Sequence, residues 1–184
     1  MSNFTRLRTQ TLIKDAFIDL LKEKPFLSIT IDNICEKAMI HRSTFYRHYE
    51  DKYVLFSDVS TAIAVSLFEQ TNQGLNVEHQ LFEEIIEYID ANRALFFNIT
   101  SKNNNLELYE KLIQIGARDL YENSMKFNDS VSKKIQNSDY PKVLCEFYCS
   151  GFFEIIKKWV NNEYQFSKEE LIHIVNSLLA NESK

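Results

Sequence analysis

The sequence predicts an all-α fold, and three observations carry that expectation. Its 184 residues include only three glycines and two prolines, too few turn formers for a sandwich or a barrel. Hydrophobic residues make up 45%, enough for a sizeable core. Apolar positions recur at helical spacing rather than in alternation, and the pattern predicts about nine helices.

Residues 5–24 predict the first helix, with Leu12, Ile13, Ala16, Phe17, Leu20 and Leu21 on one apolar face and Pro25 as its stop. Thr30 stands as N-cap to a helix over 31–38, with Asn33 three positions on and Ile31, Ile34 and Ala38 inward. A break at 39–41 precedes a short helix over 42–48. Asp51 caps a fourth helix that runs to about residue 73. Gly74 and Asn76 mark a turn. Residues 78–92 then place Leu81, Phe82, Ile85, Ile86 and Ile89 inward and Glu83, Glu84 and Glu87 outward. A short apolar piece over 93–99 leads to a loop at 101–105. Another amphipathic helix covers 106–125. Residues 128–140 are polar, either a connection or a weak helix. Pro141 suits the first position of a long helix to about residue 161. Ser167 and Glu170 match a capping box opening a last helix over 168–180.

The N-terminal residues are polar and carry no signal pattern, and no stretch is long and apolar enough for a membrane span. A cytoplasmic protein without a membrane partner is expected. Cys35, Cys145 and Cys149 form no CxxC pair and read as small buried hydrophobes. His41, His48, His79 and His173 form no metal-binding pair, and no glycine-rich phosphate loop occurs. No enzyme activity, cofactor or metal is expected. The formal charge of −5 is uneven: residues 1–52 hold nine Lys or Arg against seven Asp or Glu, and the remainder twelve against nineteen. A slightly basic module on an acidic body is a pattern of nucleic-acid binders.

The segment IHRSTFYRHYEDK, residues 40–52, sharpens that reading. Helix, break and short helix make a helix-turn-helix pattern. Phe45 and Tyr49, four apart, face inward. Arg42, Ser43, Tyr46 and Arg47 face away, flanked by Thr44 and His48, and no acid lies between Glu36 and Glu50. Cations for phosphates, with hydroxyls and a guanidinium fork for base edges, are what a major groove requires. Arg42 is the residue best suited to a two-bond contact with guanine.

The stretch TIDNICEKAMIHRSTFYRHYEDKYVLF, residues 30–56, resembles the DNA-binding domain of the TetR family of transcription regulators. Thr30, Ile34, Cys35, Ala38, Ile40, Thr44, Phe45, Tyr46, His48, Tyr49 and Lys52 stand in register with the family pattern. Two positions depart from it. Met39 replaces the family's turn glycine, where a positive φ would strain a residue with a side chain by about 1 kcal/mol. His41 replaces the usual Ser or Thr cap and is positioned to reach a phosphate instead. The resemblance implies that Thr30, Tyr46, His48 and Lys52 hold phosphates, and that Arg42, Ser43, Thr44 and Arg47 approach base edges. Residues 1–52 are then the DNA-binding domain and 53–184 an effector-binding and dimerisation domain.

The last two helices carry surplus apolar surface. Phe147, Tyr148, Gly151, Phe152, Ile155 and Trp159 lie on one, and Leu171, Ile174, Val175 and Leu178 on the other. With the resemblance, these positions imply a homodimer on double-stranded DNA carrying an inverted repeat. Family members also bind small molecules among their middle helices. Phe82, Tyr88, Phe96, Phe97, Tyr109 and Tyr121 are the expected walls of such a pocket. The functional expectation is a DNA-binding regulator, a repressor responding to a small-molecule effector. The alternative is a co-regulator acting through protein contacts with weak DNA affinity.

Overall fold

A computed structural model describes residues 3–71, 80–100 and 106–179. Among them lie ten α-helices and one 3-10 turn, and no strand. The helices are α1 (Asn3–Glu23), α2 (Ile31–Lys37), α3 (Arg42–Tyr46), α4 (Lys52–Thr71), α5 (Gln80–Ala91), α6 (Arg93–Thr100), α7 (Glu107–Ser124), α8 (Ser130–Gln136), α9 (Pro141–Val160) and α10 (Lys168–Leu179). The 3-10 turn is Phe26–Ser28. The turn expected at Gly74 and Asn76, the loop at 101–105 and the end of the last helix at Ala180 lie outside the described residues.

The chain packs as two compact units, residues 1–62 with 92–107, and residues 63–91 with 108–184. The first holds α1 to α3, the start of α4, and α6. Its centre is a ring cluster in which Phe17 meets Phe26 and Phe56 edge-on at 6.2 and 6.4 Å. Phe26 lies 4.7 Å from Phe56. Because Phe56 joins this cluster, the first part of α4 packs with the head rather than separating from it after Lys52. The apolar piece over 93–99 is helical: α6 buries Leu95, Phe96 and Ile99 and packs on α1. Asn98 Nδ2 donates to the Leu21 and Lys22 carbonyls at 3.0 and 3.3 Å. These are last-turn carbonyls of α1 that have no partner in their own helix.

In the second unit, α5 pairs with α10 and α8 with α9. Phe68 and Phe153 meet edge-on at 6.4 Å. Gly116 on α7 lets the Phe68 ring approach so closely that a Cβ there would lie 2.7 Å from its Cζ. Within the polar stretch 128–140, residues Ser130–Gln136 form a helix and the rest is connection. Asp129 accepts from the Ser132 backbone N–H at 2.9 Å and from its hydroxyl at 2.7 Å. Val131 and Ile135 are fully buried. Two apolar side chains and one cap suffice because tertiary packing, not propensity, stabilises so short a helix.

Several local expectations hold. Thr30 and Asn33 form a reciprocal capping box, each backbone N–H donating to the other's side chain at 3.2 Å. Asp51 accepts from Tyr53 and Val54 N–H at 2.8 Å. Ser167 and Glu170 close a second reciprocal box at 2.7 and 3.1 Å. Met39 adopts φ 52° and its side chain is 93% exposed. It therefore bears left-handed strain with no packing to offset it. Met39→Gly is expected to raise stability by about 1 kcal/mol, a rise of about 2–4 °C in Tm by calorimetry.

Candidate nucleic-acid interface

A helix of five residues cannot persist on its own, so α3 is held by what it buries. Phe45 is fully buried and Tyr49, just past the helix, nearly so. Their rings lie 6.0 Å apart. The Tyr49 hydroxyl donates to Asp58 Oδ2 at 2.7 Å, and Lys14 Nζ donates to Asp58 Oδ1 at 2.9 Å. Asp58 thus ties α1 and α4 to Tyr49, just past the end of α3. Burial pushes the Asp58 carboxyl up, but the Lys14 and Tyr49 hydrogen bonds outweigh it and hold it below its usual range. Burial and the bond to Asp58 raise the Tyr49 phenol well above the usual tyrosine value.

With Phe45 and Tyr49 inward, His41, Arg42, Ser43, Tyr46 and Arg47 are exposed on the opposite side, and Thr44 and His48 are half-buried. His41 precedes α3 in extended conformation and makes no side-chain cap. Thr30 is exposed, its hydroxyl engaged in the capping box. Arg47 donates to Thr44 Oγ1 at 2.9 Å. These side chains are brought together on one face of the head.

Three of them have surroundings the sequence did not announce. Arg42 is not surrounded by cations alone: its Nη1 donates to Asp32 Oδ1 of α2 at 2.7 Å, and its Nη2 to the Tyr46 hydroxyl at 3.2 Å. An acid ten positions away in sequence, outside the window between Glu36 and Glu50, reaches this face from the neighbouring helix. Lys52 turns back into the protein. Its Nζ donates to the carbonyls of Phe26, Leu27 and Ile29 at 3.2, 3.3 and 2.8 Å. It lies 4.7 Å from the Phe26 ring centroid. All three of its donors are spent on the turn that leads into α2, and burial lowers its pKa. The Nδ1 of His48 is buried without a hydrogen-bond partner. Burial, then the nearby charges of Arg6 and Arg47, pull its pKa below 6.5.

The candidate residues of the second unit divide by exposure. Phe147 is 72% and Leu178 64% exposed, with Gly151 exposed between the turns of α9. They join Tyr148, Phe152, Ile155 and Val175 around an apolar depression of about 300 Å³. Ile174 is half-buried. Trp159 and Leu171 are buried inside the unit, and the Trp159 indole donates to the Phe166 carbonyl at 2.9 Å. Periodicity marked them apolar without saying which side they face, and they belong to the core. The six expected pocket rings fall in both units. Phe96 is buried and Phe97 exposed in the first unit. In the second, Tyr109 is buried, Tyr88 half-buried, and Phe82 lines the apolar depression. Tyr121 lines a separate groove of about 580 Å³ with Arg118, Lys142 and Glu146.

A family profile described as the TetR-type "Transcriptional regulator C-terminal region" matches residues 78–181, more than half of the chain. The chain belongs to the TetR family of transcriptional regulators. It is 24% identical over 110 residues to the uncharacterized HTH-type transcriptional regulator YxbF of Bacillus subtilis, covering 55% of this chain and 29% of that protein. It is 25% identical over 99 residues to DhaS, the HTH-type dhaKLM operon transcriptional activator of Lactococcus lactis, covering 54% of this chain and 52% of that one. The chain thus spans about half or less of the length of these curated relatives. A solved TetR transcriptional regulator from Streptococcus agalactiae superposes with a TM-score of 0.65 at 22% identity, covering 97% of both chains, and shares the fold. The family is one of regulators, not enzymes. No helix among the described residues is long and apolar enough to cross a membrane.

Lys52→Ala leaves three carbonyls of the 25–29 turn without their cation and should cost about 1–3 kcal/mol in chemical denaturation. His48 predicts a pH effect with a defined sign. Its folded pKa lies below 6.5, so as pH falls the unfolded chain takes up the proton first. Stability is full above 6.5 and declines as pH drops toward the folded value. His48→Gln should flatten that part of the stability–pH profile.

Proposed function

We propose that this regulator binds double-stranded DNA through the α2–α3 face, as a homodimer on an inverted repeat, and that it represses transcription under control of a small molecule. The observation that supports the reading best is the exposed row His41, Arg42, Ser43, Tyr46 and Arg47 opposite two buried rings. Hydroxyls and guanidinium groups on a rigidly backed helix suit base edges in a major groove. Ser43, Thr44 and Arg47 join Arg42 toward the bases, and Thr30, His41, Tyr46 and His48 lie where phosphates would pass. Lys52 serves the interface through the 25–29 turn, which positions Thr30.

The dimer reading rests on the depression lined by Phe147, Gly151, Phe152 and Leu178. Gly151 weakens α9 by about 1 kcal/mol relative to alanine, yet a Cβ there would meet nothing within 4 Å among the described residues. A second copy of the chain would supply the close approach that favours a glycine there. For the effector, the groove beside Tyr121 and Lys142 has ligand-sized volume and mixed polarity. Activation is the second reading, because the relative DhaS is named an operon activator. Cytoplasmic location accompanies either reading.

Fluorescence anisotropy on DNA flanking the protein's own coding region, beside a random duplex and at several salt concentrations, tests the first claim. Specific binding about a thousandfold tighter than random, with a steep salt slope, is expected. Equal, weak binding to both would favour a co-regulator that works through protein contacts. Phe147→Glu is expected to convert a dimer to a monomer in sedimentation and to weaken operator binding at least tenfold while leaving helicity intact.

A further inference from the structure

The face proposed to meet DNA includes an acid, contributed by α2, that the reading above does not require. Asp32 lies in the first turn of α2, and its side chain is 71% exposed while holding Arg42 Nη1 at 2.7 Å. Arg42 is fixed from its other side by the Tyr46 hydroxyl, with the guanidinium carbon 5.7 Å from the Tyr46 ring centroid. An exposed ion pair of this kind adds little to the stability of a fold. It does settle where a long, flexible side chain points before any ligand arrives. A guanidinium has five N–H donors, and these two bonds use two of them, leaving three for a base edge.

The carboxylate also has a cost. Near a phosphate backbone it repels every DNA sequence alike. One base-edge feature offsets that repulsion. Guanine offers O6 and N7 to the Arg42 fork that Asp32 holds, and no other base presents that pair of acceptors. We propose that Asp32 is a specificity-determining residue that acts through Arg42: it holds the guanidinium for one guanine in each half-site and penalises duplexes that lack it. This inference rests on the DNA-binding reading of the α2–α3 face.

The test uses the full chain. The wild type selects duplexes from a pool with a randomised core, and the selected duplex is then varied one base pair at a time in competition binding. Wild type, Asp32→Asn, Arg42→Ala and the double variant are compared, with thermal unfolding as a check on folding. The expected wild-type result is a preference of about tenfold or more for guanine at one position of each half-site. Asp32→Asn should lower that preference severalfold at that position only, and tighten binding to a random duplex severalfold. In the Arg42→Ala background, Asp32→Asn should leave base preference unchanged. If Asp32→Asn tightens selected and random duplexes equally with base preference intact, Asp32 is only a repelling charge and the inference is wrong. If it changes preference at all positions alike, the effect is structural and the inference is equally wrong. If the wild type enriches no sequence, the DNA-binding reading itself fails, a result distinct from either.

Discussion

The candidate interface depends on the burial of two rings from a segment too short to fold alone. α3 has five residues, fewer than two helical turns. Its orientation is set by Phe45 and Tyr49 in the core and by the Tyr49 hydroxyl on Asp58, which Lys14 also holds. Once those rings are inward, helical geometry alone places Arg42, Ser43, Tyr46 and Arg47 outward. The exposed chemistry is thus a consequence of the buried chemistry.

The same head shows how backbone groups are accounted for around such a segment. Lys52 meets the three carbonyls of the turn before α2. The Thr30–Asn33 box satisfies the donors at the start of α2. Asn98 satisfies carbonyls at the end of α1. The 25–29 turn, α2 and α3 are held by side chains from α4 and from the reciprocal cap, so the face is backed by rigid contacts. The unresolved tension is Met39, whose left-handed backbone carries strain on an exposed side chain.

Much of this was legible in the sequence, and what was not has a common cause. Caps at Thr30, Asp51 and Ser167 could be read because they depend on neighbours within three residues. The positive φ at Met39 followed from the resemblance, in which that turn position is a glycine. Features that depend on contacts between distant segments were not readable. Asp32 reaches Arg42 only because α2 lies beside α3. Lys52 faces inward because the carbonyls it meets lie more than twenty positions earlier in the chain. Trp159 and Leu171 went to the core, because apolar character does not fix which side of a helix meets which neighbour. α8 was ambiguous because only Val131 and Ile135 mark its inner face.

The most direct measurement of the central claim is hydrogen–deuterium exchange by mass spectrometry of the full chain, free and bound to a duplex it has selected. The account predicts slowed exchange concentrated in residues 30–52 on DNA addition, with α9 and α10 unchanged between the two states. Unchanged exchange over 30–52, with slowing elsewhere in the chain, would contradict it and place the DNA contact on a different surface.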